Sequence, residues 1–476
     1  MENASEGVSV PSVASEFLGA CLPDRRLGAR LIRIAEACCS APEKGFPQVA
    51  GSDSQLEGIY RFLRNRRVSY GAVMEAHVER TAERVQAVGT AVVVHDTTEM
   101  QFRGEVRREG LGFLRGKDQG FLVHCALAVA ADGSKRPLGV MGLKPWVRSG
   151  PARSESMPPH RSGSEYAKQT DKESDRWAEL VEQSAKRCGD AKLVHVMDRE
   201  ADAYPLLNRM RKQGHAFVVR MARNRVVSAE GSDEWERLSA VVSRAEDLLE
   251  VEVPLSRRKG SNVPRARRAF APRDSRIARL RFSAARVSIK RPHYLSDVPA
   301  SLPINVVRVH EVGAPEGTDP VEWVLATSEP IESREDVEAI VNFYRTRWLI
   351  EEFFKSLKTG CSFEHRQLES YHALLNALAL FVPIAWQLLL LRNLARTKPN
   401  EPASAVLSQN QVQVLVACSK KRLPSSPTVR EALYAVAALG GHLRNNGDPG
   451  WQVLGRGIEK LLVLEVGWNA SRKRDQ

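Results

Sequence analysis

The stretch that most constrains the fold runs from Tyr344 to Lys358 (YRTRWLIEEFFKSLK), because only a helix sorts its residues into two faces. Polar residues three or four positions apart share one face, namely Tyr344, Arg347, Glu351, Lys355 and Lys358. The apolar residues of the opposite stripe, which we expect to be buried, are Phe343, Ile350, Phe354 and Leu357. Cations on such a face suit phosphate groups, and a carboxylate suits a metal ion. The simpler alternative is a solvated surface helix with a Glu351–Lys355 ion pair.

Two aspartates follow apolar runs that are typical of strands. Ala91 to Asp96 (AVVVHD) ends on a carboxylate, and Asp198 follows the run LVHVM. An aspartate at the end of a strand often caps the helix that follows, and for one such residue capping is the better explanation. Two of them together with Glu351 favour a metal site built from three carboxylates.

These residues resemble a known signature. Tyr344, Arg347, Glu351 and Lys358 match the Y-x2-R-x3-E-x6-K pattern of bacterial insertion-sequence transposases of the Asp-Asp-Glu (DDE) class. Within that class the chain looks most similar to the family of the transposon-five (Tn-five) transposase. The stretch that begins at Asp198 (DREAD) matches the second catalytic motif of this family, and the resemblance runs from about residue 24 to about residue 462.

The resemblance implies an enzyme that cuts double-stranded DNA at transposon ends through a hairpin intermediate and transfers the strands into target DNA, as a homodimer. Asp96, Asp198 and Glu351 would be the catalytic residues and would hold two Mg²⁺ ions, with Mn²⁺ able to replace them. Predicted DNA contacts near them are Tyr344, Arg347, Lys355, Lys358 and Arg220. Trp323 matches the position that the family places near a flipped base, although a half-buried tryptophan on a strand explains it equally simply.

The first 70 residues are predicted to form a helical DNA-end-binding domain. The pattern indicates a helix from Arg25 to Cys39 and a second one capped by Asp53 or Ser54. Their outer faces are basic, and the DNA contacts that we predict there are Arg25, Arg26, Arg30 and Arg61. A solvated helical cap without a ligand is the alternative.

The remaining pattern predicts an α/β fold with a ribonuclease-H-like catalytic domain at residues 71–370. Strands are expected at 91–96, 121–130, 137–146 and 192–197, with a loop at 147–175. A β-rich insertion is expected at about 221–318, and the long helix from 333 to Lys358 opens with a capping box at Ser333. Residues 371–476 are predicted to be a helical dimerisation domain, whose apolar run at 373–391 we interpret as a buried helix.

The charge of the chain indicates the class of partner, and its cysteines indicate the cellular compartment. The chain of 476 residues has a net charge of +13, and the segment from Ser256 to Arg291 alone contributes +12. This favours a polyanion such as DNA over a membrane or an acidic protein, with a solvated basic loop as the alternative. Seven scattered cysteines and a first segment unlike a secretory signal predict a cytoplasmic, bacterial protein that is associated with the nucleoid when bound to DNA.

Two other functions fit parts of the pattern. A metal-dependent nuclease or junction resolvase would use the same three acids without strand transfer, but it has no need of the N-terminal module or the β insertion. An inactive, transposase-derived inhibitor that only binds DNA would be expected to have lost an acid or a signature residue. All of them are present, so we favour the transposase.

Overall fold

A computed structural model describes residues 11–104, 106–114, 118–148, 173–257, 272–419, 422–443 and 448–472. The strands are β1 Thr90–Phe102, β2 Gly112–Phe113, β3 Gln119–Ala130, β4 Pro137–Trp146, β5 Lys192–Met197, β6 Ala216–Arg220, β7 Val226–Ala229, β8 Glu236–Arg237, β9 Asp247–Leu255, β10 Arg276–Lys290, β11 Ser301–Val312 and β12 Glu322–Thr327. The helices are α1 Arg25–Ser40, α2 Phe46–Val49, α3 Asp53–Arg64, α4 Tyr70–Val88, α5 Glu173–Cys188, α6 Tyr204–Lys212, α7 Leu238–Arg244, α8 Arg334–Thr346, α9 Trp348–Lys355, α10 Tyr371–Thr397, α11 Gln409–Cys418, α12 Val429–Leu439 and α13 Trp451–Arg472.

All twelve described strands belong to one mixed sheet. Its path is β2-β3-β1-β5-β6-β12-β11-β10-β7-β8, with β4 beside β3 and β9 beside β10. β1 runs antiparallel to β3 and parallel to β5, and β5 runs parallel to β6. Every residue of β3 is buried, because helices cover the part of the sheet to which it belongs. The chain is therefore mixed α/β, with a helical N-terminal region and one large sheet.

The predicted β insertion extends this sheet. β7 to β11 fall within residues 221–318, and β11 joins the rest of the sheet through β12, which pairs antiparallel with β6. The insertion therefore shares a continuous hydrogen-bonded ladder with the strands that carry the two aspartates. Most of the predicted loop at 147–175 and residues 258–271 of the basic segment lie outside the described residues.

Two predicted boundaries were wrong. β1 does not end at Asp96 but continues to Phe102, because its second half pairs with β3 as far as Gln119. The long helix does not run unbroken to Lys358: α8 ends at Thr346, α9 begins at Trp348, and residues 356–360 adopt a π-helix. Its start is as predicted, because the Ser333 side chain accepts from the Asp336 N–H and the Asp336 carboxylate accepts from the Ser333 N–H.

Helix α10 is the centre of the largest hydrophobic core. Its apolar stretch is long enough to span a membrane, but that stretch is entirely buried in the protein, as expected for a core helix. The indole of Trp386 donates to the carbonyl of Pro137 on β4, and the Ser356 hydroxyl donates to the Ala385 carbonyl. α10 thus joins the sheet to the helices that carry the signature residues.

The N-terminal helices pack on the same core. Leu31 of α1 and Phe62 of α3 are buried in the cluster that contains α10. The Asn376 amide of α10 donates to the Leu63 and Val68 carbonyls at 3.0 Å each. The N-cap of α3 is Ser52 and not Asp53 or Ser54, the two residues that we predicted. The packing therefore joins the predicted end-binding module to α10 in one core.

Candidate active site

Strand register places the two aspartates side by side, just beyond the last residues that β1 and β5 pair with each other. β1 and β5 are parallel, and their last paired residues are Val94 and Val196. Asp96 and Asp198 each lie two residues beyond this pair, so both side chains extend from the same face where the strands diverge. The Asp198 carboxylate also accepts from the Glu200 N–H at 2.9 Å, so it caps the short 3₁₀ turn as well as facing Asp96.

The third acid comes from α9. Its buried residues Ile350, Phe353 and Phe354 hold the helix on the core, which leaves Glu351 on the opposite side. The helix axis is interrupted at Arg347, which separates α8 from α9. The predicted apolar stripe is buried except for Phe343, which is only partly covered.

Arg347 links the acids. Its Nη1 lies 3.3 Å from Oδ2 of Asp96, and its Nη2 lies 2.6 Å from Oε1 of Glu351. The three side chains are 17–29 % exposed, so these contacts form in a cleft where water screens them less than on an open surface. The guanidinium therefore neutralises part of the charge of two candidate catalytic carboxylates.

Asp96 carries the strongest electrostatic sign of a functional site. Burial and the neighbouring charge of Asp198 raise the pKa of Asp96 to about 7, and Glu351 adds to this effect. Arg347 and the N–H of Thr97, which donates to Asp96 at 2.7 Å, lower the pKa only in part. The charges of all three acids therefore act on one another, and a perturbed carboxyl group in a cleft is typical of a functional site.

Tyr344 and Trp323 form the side wall of the site. Their rings meet edge to face with centroids 5.3 Å apart, which brings β12 against α8. Tyr344 is buried, and burial raises the pKa of its hydroxyl although the charges of Arg220 and Arg347 and a hydrogen bond with Arg220 oppose the shift. The guanidinium of Arg220 also donates to the Glu322 carbonyl, so it lies at the same wall.

The two lysines of the signature helix lie in different surroundings. Lys358 donates to the carbonyl of Glu99 on β1 and lies 3.4 Å from the carboxylate of Glu364, which fixes it beside the strand of Asp96. Lys355 is exposed, and its ammonium lies 4.9 Å from the ring centroid of Trp348. The structure therefore brings Lys358 towards the acids and leaves Lys355 on the outer side of α9.

A chain of buried histidines behind the aspartates was not predicted. The imidazole nitrogens of His95 and His124 are 3.3 Å apart, and those of His95 and His195 are 2.9 Å apart. Burial lowers the pKa of each imidazole, to about 3 for His124, so all three are neutral. They link β3, β1 and β5 on the face opposite Asp96. The signal in the sequence was a histidine directly before Asp96 and another three residues before Asp198.

The predicted N-terminal contacts are on the surface. Arg25, Arg26, Arg30 and Arg61 are all exposed on α1 and α3. Arg61 pairs with Glu57 one turn earlier, and the Asp24 carboxylate caps α1 by accepting from the Arg26 N–H. Their guanidinium groups are thus accessible to a ligand and remote in sequence from the three acids.

The donor set fits a hard divalent cation. Three carboxylates supply the oxygen ligands that Mg²⁺ and Mn²⁺ prefer. Burial and then the negative charges of Asp198 and Glu351 raise the pKa of Asp96, and a bound cation would act in the opposite direction. Among the described residues no three His, Cys, Asp or Glu side chains stand close enough to share one ion. At this site the guanidinium of Arg347 contacts both Asp96 and Glu351.

Two segments of the chain match known protein families. Residues 11–68 match the family model described as transposase DNA-binding, and residues 167–382 match the model described as transposase DDE domain. Among solved structures, the chain matches the piggyBac transposase in a synaptic complex with hairpin DNA. The identity is 11 %, the TM-score is 0.28, and the match covers 65 % of this chain and 48 % of that chain, so this chain spans about half of it. The two family models, which match two separate segments of the chain, support a DDE transposase.

Proposed function

We propose that the protein is a DNA transposase that nicks double-stranded DNA at transposon ends and transfers the strands to target DNA. The observation that carries the proposal is the convergence of Asp96 and Asp198 from parallel strands with Glu351 from α9 around Arg347. The match of residues 167–382 to a transposase DDE domain supports it. The strand order β4-β3-β1-β5-β6, with β1 parallel to β5, supports a ribonuclease-H-like core.

Asp96, Asp198 and Glu351 would hold two Mg²⁺ ions, or Mn²⁺ in their place. Bound there, the metal ions supply an activated oxygen nucleophile and stabilise the leaving oxygen of the phosphodiester. For the carboxylates to serve as ligands, the Asp96 carboxyl must give up its proton and Arg347 must give up its contacts. The freed guanidinium can then bind a DNA phosphate bidentately beside the acids.

The other side chains of the site bind and orient DNA. Lys358 carries its charge beside β1, where it can hold a phosphate next to the scissile bond. Tyr344 and Arg220 offer a hydroxyl and a guanidinium at the wall, and the ring of Trp323 offers an apolar surface for an unstacked base. The exposed arginines Arg25, Arg26, Arg30 and Arg61 belong to the segment that matches a transposase DNA-binding model, so we assign end recognition to it.

The C-terminal helices support a homodimer. α11, α12 and α13 build a separate apolar cluster that includes Leu415, Val436 and Leu461. On α13, Val463 and Leu464 are 65 % and 37 % exposed, which offers apolar surface to a second copy. We therefore assign residues 371–476 to subunit contact, in addition to the role of α10 in the core. All seven cysteines are free thiols, which supports action in the reducing cytoplasm.

A gel assay separates the proposed function from its rivals. The substrate is a labelled duplex that carries the terminal repeat flanking the gene, incubated with the protein, a supercoiled target plasmid, and either Mg²⁺ or EDTA. A transposase nicks the end only with Mg²⁺ and joins the label to the plasmid. A simple nuclease yields nicks without joined product, and a binding protein yields a shifted band without either.

A further inference from the structure

A cluster of cations lies away from the three acids. A pocket of about 230 Å³ opens between α10 and α12 and is lined by Arg392, Arg396 and Arg430 with Asp448 as the one carboxylate. The Asp448 carboxylate already accepts from the hydroxyl of Tyr434 at 2.9 Å. The lining therefore carries an excess of two positive charges.

The arginines of the pocket are placed by rings rather than by acids. The guanidinium of Arg392 lies 4.6 Å from the ring of the buried Trp451, and that of Arg430 lies 6.0 Å from the ring of Tyr434. Neither makes an ion pair within the described part of the chain. Arg396 has a loose contact of 3.5 Å with Glu352 and is 56 % exposed. The three arginines thus have two carboxylates near them, Asp448 and Glu352, and a net positive charge remains.

The charge continues beyond the pocket. Lys135, in the turn between β3 and β4, is held against α10 because the Asn393 amide donates to its carbonyl at 3.0 Å. Burial lowers the pKa of Lys135, and the positive charges of Arg345 and Arg396 lower it further. Lys135, Arg345 and Arg396 are therefore close enough to repel one another. That repulsion lowers the stability of the fold unless an anion lies among them.

The turn that carries Lys135 is separated from Asp96 by the first half of β1. Ala130, the last residue before the turn, pairs with Ala91, which precedes Asp96 by five residues on β1. At about 3.4 Å per residue the turn lies about 17 Å from Asp96 along the strand.

We propose that Lys135, Arg345, Arg392, Arg396 and Arg430 bind backbone phosphates of duplex DNA beyond the phosphodiester that lies at the acids. The inference rests on the proposed function, because it assumes that DNA lies at Asp96. A row of cations on four elements fits successive phosphates better than one small anion, which needs donors that converge on one point. The contact would be independent of base sequence.

The test uses the full chain, a random-sequence duplex without a transposon end, and EDTA, so that it requires no catalysis. The triple variant Arg345→Gln/Arg396→Gln/Arg430→Gln changes only exposed side chains and is expected to fold. The logarithm of its binding constant should fall less steeply with the logarithm of salt, by about 0.9 per lost phosphate and about 2.7 for all three. The matched control Lys186→Gln/Arg211→Gln/Lys212→Gln removes the same charge from exposed helix ends and should keep the wild-type slope.

The outcomes are distinct. If the wild-type protein binds no duplex, the proposed function fails before the cluster is tested. If it binds and the triple variant keeps its slope, the cluster is not a DNA site. Equal losses in variant and control would mean that only bulk charge matters, which also overturns the inference. Inorganic phosphate serves as the small-anion probe: if phosphate raises the melting temperature of the wild type but not of the variant, while both bind duplex equally, the cluster binds a small anion and not DNA.

Discussion

The guanidinium of Arg347 donates to the carboxylate of Asp96 across 251 positions of sequence, with 3.3 Å between Nη1 and Oδ2. The same guanidinium holds Glu351 one helical turn away at 2.6 Å. A single cation therefore balances two acids that would otherwise repel each other and Asp198. This arrangement explains how three carboxylates can share a cleft before any metal ion is bound. The same contacts that stabilise the metal-free cleft must break before the carboxylates can bind a metal ion.

The first prediction concerns Asp96→Asn in metal-free protein. The pKa of Asp96 is raised to about 7, so the group stabilises the fold while it is protonated and this contribution is lost as the pH rises from about 4 to above 7. At pH 8 the neutral amide should raise the free energy of unfolding by about 1–3 kcal/mol, after the lost Arg347 contact is deducted. Thermal unfolding at pH 8 in EDTA measures it. A lower melting temperature than wild type at pH 8 would contradict the repulsion inferred for the three acids.

The second prediction concerns Arg347→Gln. Removing the guanidinium leaves Asp96 and Glu351 without a positive partner, so the metal-free variant should melt below the wild type. A divalent cation should then recover more stability in the variant than in the wild type, because Arg347 no longer competes for the carboxylates. Melting curves with and without Mg²⁺ compare the two proteins, and the control is Arg334→Gln, an exposed residue in the first turn of α8. An equal rise in melting temperature with Mg²⁺ in both proteins would show that Arg347 does not compete with a metal ion for these carboxylates.

The third prediction concerns the histidine chain. The pKa values of His95, His124 and His195 are lowered, so their stabilising contribution is complete above their unfolded pKa of about 6.5 and is lost as the pH falls below it. As the pH falls, each histidine lowers the free energy of unfolding by about 1.4 kcal/mol per pH unit, whereas the single Asp96 raises it by about the same amount. Urea unfolding between pH 8 and pH 5 should therefore show a net loss.

Substitution isolates the histidine effect. His124→Gln should make the decline in unfolding free energy below pH 6.5 less steep, because one buried group no longer titrates. His365→Gln changes an exposed imidazole and should leave the slope unchanged. A free energy of unfolding that stays constant from pH 8 to pH 5 would mean that the buried imidazoles become protonated in the folded state.

The fourth prediction concerns the joint between the N-terminal helices and α10. Asn376→Ala removes two hydrogen bonds to the Leu63 and Val68 carbonyls and leaves those buried acceptors unpaired. We expect a loss of about 2–4 kcal/mol in the free energy of unfolding. Asn400→Ala, at an exposed position after α10, is the control. Equal stability of the two variants in urea would show that the N-terminal module is not held by this joint.

Local signals predicted much of the fold. β4 has the bounds that the sequence indicated, and α8 begins at the predicted capping box of Ser333. The second half of β1 was missed, because its polar residues Thr97, Thr98 and Glu99 interrupt the apolar run. Only pairing with β3 stabilises it as a strand, and such pairing is not visible in a local pattern.

In the candidate site, too, local features could be predicted from the sequence and features that depend on tertiary packing could not. Asp96, Asp198 and Glu351 were predicted from apolar runs and helical spacing, which are local features. The bridge made by Arg347 and the wall made by Tyr344 and Trp323 depend on how α8 lies against β1 and β12, which is set by tertiary packing. Lys355 shares a helical face with Lys358 in the sequence, yet the change to a π-helix at residue 356 separates their surroundings.

The most direct test compares Asp96→Asn, Asp198→Asn and Glu351→Gln with Asp190→Asn, an exposed acid just before β5. Each protein is incubated with a labelled end duplex in Mg²⁺, and binding and nicking are measured on the same samples. We predict that the three site variants bind the duplex with nearly wild-type affinity and produce no nicks, because the affinity comes from phosphate contacts elsewhere. The Asp190→Asn control should bind and nick like the wild type. Nicking at a substantial rate by any of the three site variants would contradict the assignment of that carboxylate to the metal-binding set.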